Sequence, residues 1–554
     1  MRTARNETLG DHAERNDLDG ERAVPLSLQF CTFRSMRRCV AVVAILGVIA
    51  LGCSDSDVDD GSVATSTSVV STTTSAVDAD AVTPPPTQPS TTTSDVPPTT
   101  RATTAAPDLP PVPGAASAGD EYFDGLGNGG YDALHYDLDF TIDPAVDEMD
   151  AVMTMTALAT QTLSSLNLDL VGLTVTGVEV NAAEVSFRHE EEELVIDTSV
   201  SPLISGVVFE VVVRYEGTPE GVLSPAWRDR VGWQDAGEYS YVVSEPTGAH
   251  GWYPVNDHPI DKATYSISAT IPDGLQAIAN GLLIDTADNS DGTTTWRYEA
   301  RDPIASYLVT VAVGEFVFHE AVSETGTPLR DAYRPATELR AKPAIDLQGE
   351  MLAVFSELFG PYPFEVYGAL VVDDNFGGAL ETQTLSVFSG SLFGGPFGEI
   401  VVAHELAHQW FGDSLTPATW QDIWLNEGFA TYAEWVWQEA TDPAFDIDAE
   451  AASLARSGRS IWKGPGDPGP AGLFDSTVYI RGGLTLHALR RTVGDDAFFE
   501  TLRTYTRRFA YGNVSTADFI AVAEEISGHE LGALFDAWLY DDTTPELPEQ
   551  PADA

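Results

Sequence analysis

Lysine is almost missing from this chain: Lys262, Lys342 and Lys463 are the only three in 554 residues, and arginine supplies the other cations. With 28 basic residues against 85 acidic ones, the formal net charge is −57. A surface so acidic repels phosphate backbones, which argues against nucleic acid as a partner. The excess reads first as a heavily solvated surface suited to salty surroundings, and only second as attraction to basic substrates. Cysteine is equally scarce. Cys31, Cys39 and Cys53 all lie near the N-terminus, so the rest of the chain holds neither a disulfide framework nor a thiolate zinc site. The apolar run from Val40 to Leu51 has twelve residues, too few to span a bilayer.

That run follows Arg34, Arg37 and Arg38 and reads as the apolar region of a signal peptide. It ends in Ala50-Leu51-Gly52-Cys53, which resembles a bacterial lipobox, whose cysteine is lipidated and becomes the mature N-terminus. Residues 1–53 are therefore expected to be an N-terminal extension and lipoprotein-type signal. Met36 would open a compact signal of its own, Met-Arg-Arg. An ordinary cleaved signal or an uncleaved anchor is the alternative. The lipobox reading implies a membrane partner through a lipid on Cys53 and a place in the cell envelope, outside the cytoplasm.

Residues 54–118 are rich in Ser, Thr and Pro, including Pro84-Pro85-Pro86 and Thr91-Thr92-Thr93. Such a segment buries too little apolar surface to fold and reads as a disordered linker. From 119 to 317 the pattern is strand-like. Leu166, Leu168 and Leu170 alternate with polar neighbours, as do Tyr265, Ile267, Ala269 and Ile271. Val207-Val208-Phe209 and Val211-Val212-Val213 read as buried strand, and Asp291-Gly292 as a turn. This predicts an all-β domain. From 318 to 545 helical patterns dominate, as in 345–359, 484–492 and 516–526, with one short strand at Ala369 to Val372. Residues 546–554 read as a disordered tail. The fold class expected is multidomain α+β.

The chemistry lies in His404-Glu405-Leu406-Ala407-His408 and Asn426-Glu427-Gly428-Phe429-Ala430. On a helix, residues four apart lie nearly above one another, so His404 and His408 can face one metal ion. Glu405 lies beside the ligand line, within reach of a water at the metal. H-E-x-x-H alone is short and also occurs on ordinary surface helices. Glu427, 19 residues past His408, supplies a third ligand from another element and leaves one position open, the mark of a catalytic zinc site. The set predicts hydrolysis, of a peptide bond above other substrates. Glu434 lies two turns beyond Glu427 on the same face; it either orients a ligand histidine or is an exposed helix acid. Trp410, Trp420 and Trp424 read as core, and Asn426 as an aid to the helix start.

These motifs resemble the M1 family of zinc aminopeptidases, the gluzincins. Phe359-Gly360-Pro361-Tyr362-Pro363-Phe364 resembles the segment before that family's substrate strand. Gly378-Ala379-Leu380-Glu381-Thr382 resembles its exopeptidase motif, with Leu380 and Thr382 in place of the usual Met and Asn. Val478-Tyr479-Ile480-Arg481-Gly482 resembles its catalytic-tyrosine segment, with Arg481 in place of Lys. Ser244-Glu245-Pro246 and Trp252-Tyr253-Pro254 resemble the segment that helps hold the substrate amine.

The resemblance spans about 119 to 545. It implies a saddle-like β domain and a thermolysin-like catalytic domain, in a short form without the large C-terminal helical domain. It also implies one zinc ion per chain on His404, His408 and Glu427, with Glu405 as general base and Tyr479 on the oxyanion. Glu381, Glu245, Gly378 and Ala379 are implied to bind substrates, which are peptides with a free N-terminus. Two alternatives remain: a zinc endopeptidase or other zinc hydrolase with an open cleft, and a tethered, non-catalytic binding protein.

Overall fold

Along Ala263–Pro272 every second side chain is buried, as the alternation of Tyr265, Ile267, Ala269 and Ile271 predicts. This strand runs parallel to Tyr131–Asp143 and antiparallel to Thr293–Ile304. All three belong to an eight-stranded sheet, extended on one side by Glu148–Ala159 and Val208–Gly217. Tyr136 and Tyr265 stack across the parallel pair, with ring centroids 5.2 Å apart. Two smaller sheets complete this half of the molecule: four strands around Leu163–Asp169, and five around Ser240–Val243. The computed structural model describes residues 110–459 and 462–549. The signal, Cys53, most of the linker and the last tail residues lie outside the described residues.

Several expectations need correction. The end of the linker expected over 54–118 is ordered: Val112–Pro113 pairs in parallel with Leu163–Asp169, and Ala115 bridges to Gly129. Once the backbone donors and acceptors have ladder partners, this short segment needs little apolar surface to stay in place. Val207 and Val208 are exposed, while Phe209, Val211 and Val213 are buried; the strand has one wet face, as antiparallel strands commonly do. The helix expected over 345–359 runs over Gln348–Phe359; Ile345 instead closes a separate helix, Glu338–Ile345, and a tight turn between them has the Leu347 N–H donating to the Ala344 carbonyl at 3.2 Å. At the other end, Pro548 lies in the segment read as a tail, and its carbonyl accepts from Arg491 at 2.6 Å.

The largest difference follows residue 317. The segment expected to be helical opens with a five-stranded sheet in the order Val317–Val322, Pro328–Tyr333, Ala369–Val372, Ser386–Ser389, Ala379–Leu380. Its strands are four to six residues long apart from the two-residue Ala379–Leu380, too short for a strong alternation signal. One apolar cluster joins this sheet to the five-stranded sheet before it: Tyr241 and Val243 on one side meet Leu370, Val372, Leu380 and Val387 on the other. The joint has a functional consequence. Glu245 leaves the strand Ser240–Val243 and Glu381 leaves Ala379–Leu380, so the shared core sets two carboxylates from distant parts of the chain at the same place.

Candidate active site

The helix Gly398–His408 carries His404 and His408 on one face, with ring centroids 4.7 Å apart. The helix Trp424–Thr441 packs beside it and brings in Glu427. Oε2 of Glu427 lies 3.1 Å from Nε2 of His404 and 3.5 Å from Nε2 of His408. Ligand atoms on a tetrahedral zinc, each about 2.0–2.1 Å from the metal, are about 3.3 Å apart, so the separations fit. The far ring nitrogens fit as well. Nδ1 of His404 lies 2.7 Å from Glu434, and Nδ1 of His408 lies 3.1 Å from the Phe411 carbonyl. Each acceptor can receive a hydrogen bond from Nδ1–H, the tautomer that leaves both Nε2 atoms free to bind a metal beside Glu427. Glu434 is buried against the His404 ring rather than exposed on its helix. Glu381, Glu405 and His408 make a second trio of donors within 4.8 Å, but it has one imidazole and lacks the paired Nδ1 acceptors.

Burial disfavours ionisation of Glu427, yet His408 and His404 outweigh it and hold the carboxyl down at about 2. Burial likewise works against protonation of His404, but Glu427 and Glu434 push its pKa well up. Burial drives Glu405 up to about 8, opposed by the two histidines and reinforced by Glu381 and Glu427. A divalent cation among the ligands favours the ionised forms of these acids. A water-excluded cluster of four carboxylates around two imidazoles suits a metal and a cationic substrate better than it suits itself.

Two glycines set the third wall. A Cβ on Gly428 would come within 2.8 Å of Gly482 Cα, and one on Gly482 within 2.7 Å of Gly428 Cα. The helices Trp424–Thr441 and Ser476–Val493 cross here almost backbone to backbone. That approach stacks the Tyr479 ring on His404, with centroids 5.9 Å apart and planes 24° apart. Burial, then Glu427, pushes the Tyr479 phenol well above its ordinary range, so it keeps its proton and remains a donor. Arg481 points elsewhere: it is fully buried and donates to the carbonyls of Trp538, Trp462 and Ala537. Its role is to tie down the C-terminal helix Gly532–Tyr540.

Glu245 and Glu381 are both buried, and each has an Oε1 without a hydrogen-bond partner. Burial comes first in raising the Glu245 carboxyl well above its usual range, followed by Glu381. Such orphan oxygens call for a donor from a ligand. Gln409, at the end of the histidine helix, locks this turn by donating to the Glu381 carbonyl at 2.8 Å and accepting from Thr384 N–H at 2.8 Å. Thr382 turns inward to the Leu385 carbonyl, and Leu380 joins the apolar cluster. Both departures from the usual motif therefore brace the turn. Gly378 and Ala379 line a cavity beside Glu245 together with Trp227 and Asp374. Sequence reasoning passed over Gln409, Trp227 and Asp374, which carry no motif of their own.

A β-rich half joined to a helical half, with a His-His-Glu metal set where they meet, defines the class: the two-domain architecture of zinc metallopeptidases. The comparisons agree. Residues 132–308 match the Peptidase M1 N-terminal domain and residues 344–538 the Peptidase family M1 domain. Aminopeptidase M1-A of Oryza sativa subsp. japonica is 30% identical over 388 residues, covering 65% of this chain and 43% of its own length. The crystal structure of an M1 zinc metallopeptidase from Deinococcus radiodurans is 34% identical with a TM-score of 0.72, covering 78% of this chain and 99% of that one. A mutant of that protein bound to a Tyr-Ser-Ala substrate superposes with a TM-score of 0.71 at the same identity, covering 78% of this chain and 100% of that one. The chain belongs to peptidase family M1. It spans less than half the length of the curated relatives it matches.

Proposed function

We propose that this protein is a zinc-dependent aminopeptidase that removes N-terminal residues from peptides. The observation that carries the reading is the pair Glu245 and Glu381, buried with unpartnered oxygens beside the His404–His408–Glu427 set. A free α-ammonium supplies the donors and the charge those oxygens lack, whereas a blocked or internal peptide does not. His404, His408 and Glu427 would hold the zinc ion, which would supply Lewis acidity and make a water more acidic. Glu405 accepts the proton of the attacking water and delivers it to the leaving amine. The Tyr479 hydroxyl donates to the carbonyl oxygen as it gains charge. Glu434 and the Phe411 carbonyl keep the two histidines in the ligating tautomer.

Hydrolysis of aminoacyl chromogenic amides tests this reading. Activity is expected to vanish with a chelator, return with zinc, and fall by about 10²–10⁴ in Glu405→Gln. N-acetylated substrates cleaved as fast as free ones would replace it with an endopeptidase or another zinc hydrolase. We also propose an extracytoplasmic location with a lipid anchor on Cys53, supported by the lipobox-like Ala50-Leu51-Gly52-Cys53 and the Ser/Thr/Pro-rich stretch after it. Membrane fractions of expressing bacteria are expected to hold the chain processed to begin at Cys53 and to lose it in Cys53→Ser; equal retention of the variant would end the proposal.

A further inference from the structure

Beside Glu245 lies a cavity of about 160 Å³ lined by Gly378, Ala379, Phe376 and the exposed Trp227, Asp229 and Asp374. A cavity of about 150 Å³ holds a benzene ring, so a flat ring or a guanidinium fits this one. Its aromatic wall is fixed. Trp227 stacks on Phe474 with centroids 4.4 Å and planes 15° apart, and its indole N–H donates to the Glu245 carbonyl at 3.1 Å. The Asp374 carboxylate is fixed as well: the Tyr241 hydroxyl donates to Oδ2 at 2.9 Å and the Asn375 N–H to Oδ1 at 2.7 Å. The cations nearby face elsewhere. Arg230, on the cavity rim, donates to the Gly221 carbonyl and lies 3.9 Å from Glu220. Arg334 turns to Asp373 at 3.3 Å. A planar aromatic wall next to a held carboxylate is the recognition chemistry of a guanidinium, through stacking and charge-assisted hydrogen bonds.

We propose that this cavity takes the side chain of the substrate's N-terminal residue and selects arginine, with Asp374 as the specificity-determining residue. The proposal rests on the aminopeptidase reading. Acidic N-terminal residues meet two carboxylates, Asp374 and Asp229, against one rim cation, Arg230, and are disfavoured; small apolar ones leave the cavity part empty.

The test measures kcat/KM of the zinc-loaded full chain on arginine, leucine and glutamate amides. Arginine is expected to lead leucine by about tenfold or more, with glutamate last, and Asp374→Asn to cut the arginine-to-leucine ratio by about tenfold. In Asp374→Lys the glutamate-to-arginine ratio is expected to rise, a gain that misfolding cannot produce. A wild-type preference for leucine or glutamate, or an arginine-to-leucine ratio unmoved in Asp374→Asn, overturns the proposal. Calorimetric binding of free L-arginine and L-leucine to both proteins reads the cavity without turnover. Arginine binding that depends on Asp374, with no amide hydrolysed, would keep the cavity assignment and sink the aminopeptidase reading. Neither binding nor hydrolysis would end both.

Discussion

Glu434 contributes nothing to the metal set directly, yet the geometry of His404 depends on it. Its carboxylate lies 2.7 Å from Nδ1 and is buried with the imidazole. Replacing it with Gln keeps a polar contact but loses the charge, and lets the amide offer a donor where an acceptor is needed. Glu434→Gln is therefore expected to weaken zinc binding by about 10–100-fold, as outer partners of ligand histidines commonly do. Competition with a chelator of known affinity reads this directly. Retention of wild-type zinc affinity would reduce Glu434 to a packing role. Activity at saturating zinc is expected to recover more fully in Glu434→Gln than in Glu405→Gln. The first loss is in occupancy and the second in proton transfer.

The helix Ser476–Val493 connects site and stability. Gly482 and Tyr479 serve the site on one face; His487, two turns on from Tyr479, serves the fold. Its Nε2 lies 3.0 Å from Asp448 and its Nδ1 3.3 Å from the Tyr432 hydroxyl, so it joins three helices. Desolvation pushes the imidazole down to about 4 against the opposing pull of Asp448. In the unfolded chain it titrates near 6.5, so between those values the unfolded state binds more protons and acid favours unfolding. The contribution is complete above about pH 6.5 and is lost as pH falls toward 4, amounting to about 3 kcal/mol. Denaturant midpoints at pH 4.5 and 7 are expected to lie closer together in His487→Gln than in the wild type; an unchanged gap would place the acid sensitivity elsewhere. This element also shows what was legible in sequence. The meeting of His404, His408 and Glu405 was, because helical spacing fixes it locally, and short motifs pointed to Glu427 and Tyr479. His487, Gln409 and the Gly428–Gly482 crossing were not, since each acquires its role only when separate helices or turns meet. Of the sheet after residue 317 only Ala369–Val372 was legible; the other strands are too short to show alternation, and two of the four pairings join segments separated by helices or loops.

At the scale of the whole molecule the governing quantity is the net charge of −57. Many arginines are already engaged in pairs at the surface, such as Arg508 with Glu525 at 2.9 Å and Arg214 with Glu179 at 2.9 Å. These exposed pairs contribute little each, and they leave most of the acids unmatched. Folding gathers those acids onto one surface, and their mutual repulsion works against the compact state. Salt shortens the Debye length from about 30 Å at 0.01 M to about 3 Å at 1 M, which removes most of that repulsion. The thermal midpoint is therefore expected to rise by about 3 °C or more between those salt concentrations. Sucrose, excluded from the surface but uncharged, controls for general compaction. If the low-salt rise is reproduced by sucrose, or if the curve is flat, charge repulsion is not what limits stability. The same field acts on substrates with the opposite sign. An acidic surface steers cations inward, so added salt is expected to lower kcat/KM for an arginine amide more than for a leucine amide while the fold becomes more stable. Stability and cationic-substrate capture moving in opposite directions along one salt series would separate electrostatic steering from simple salt activation, in which both rise together.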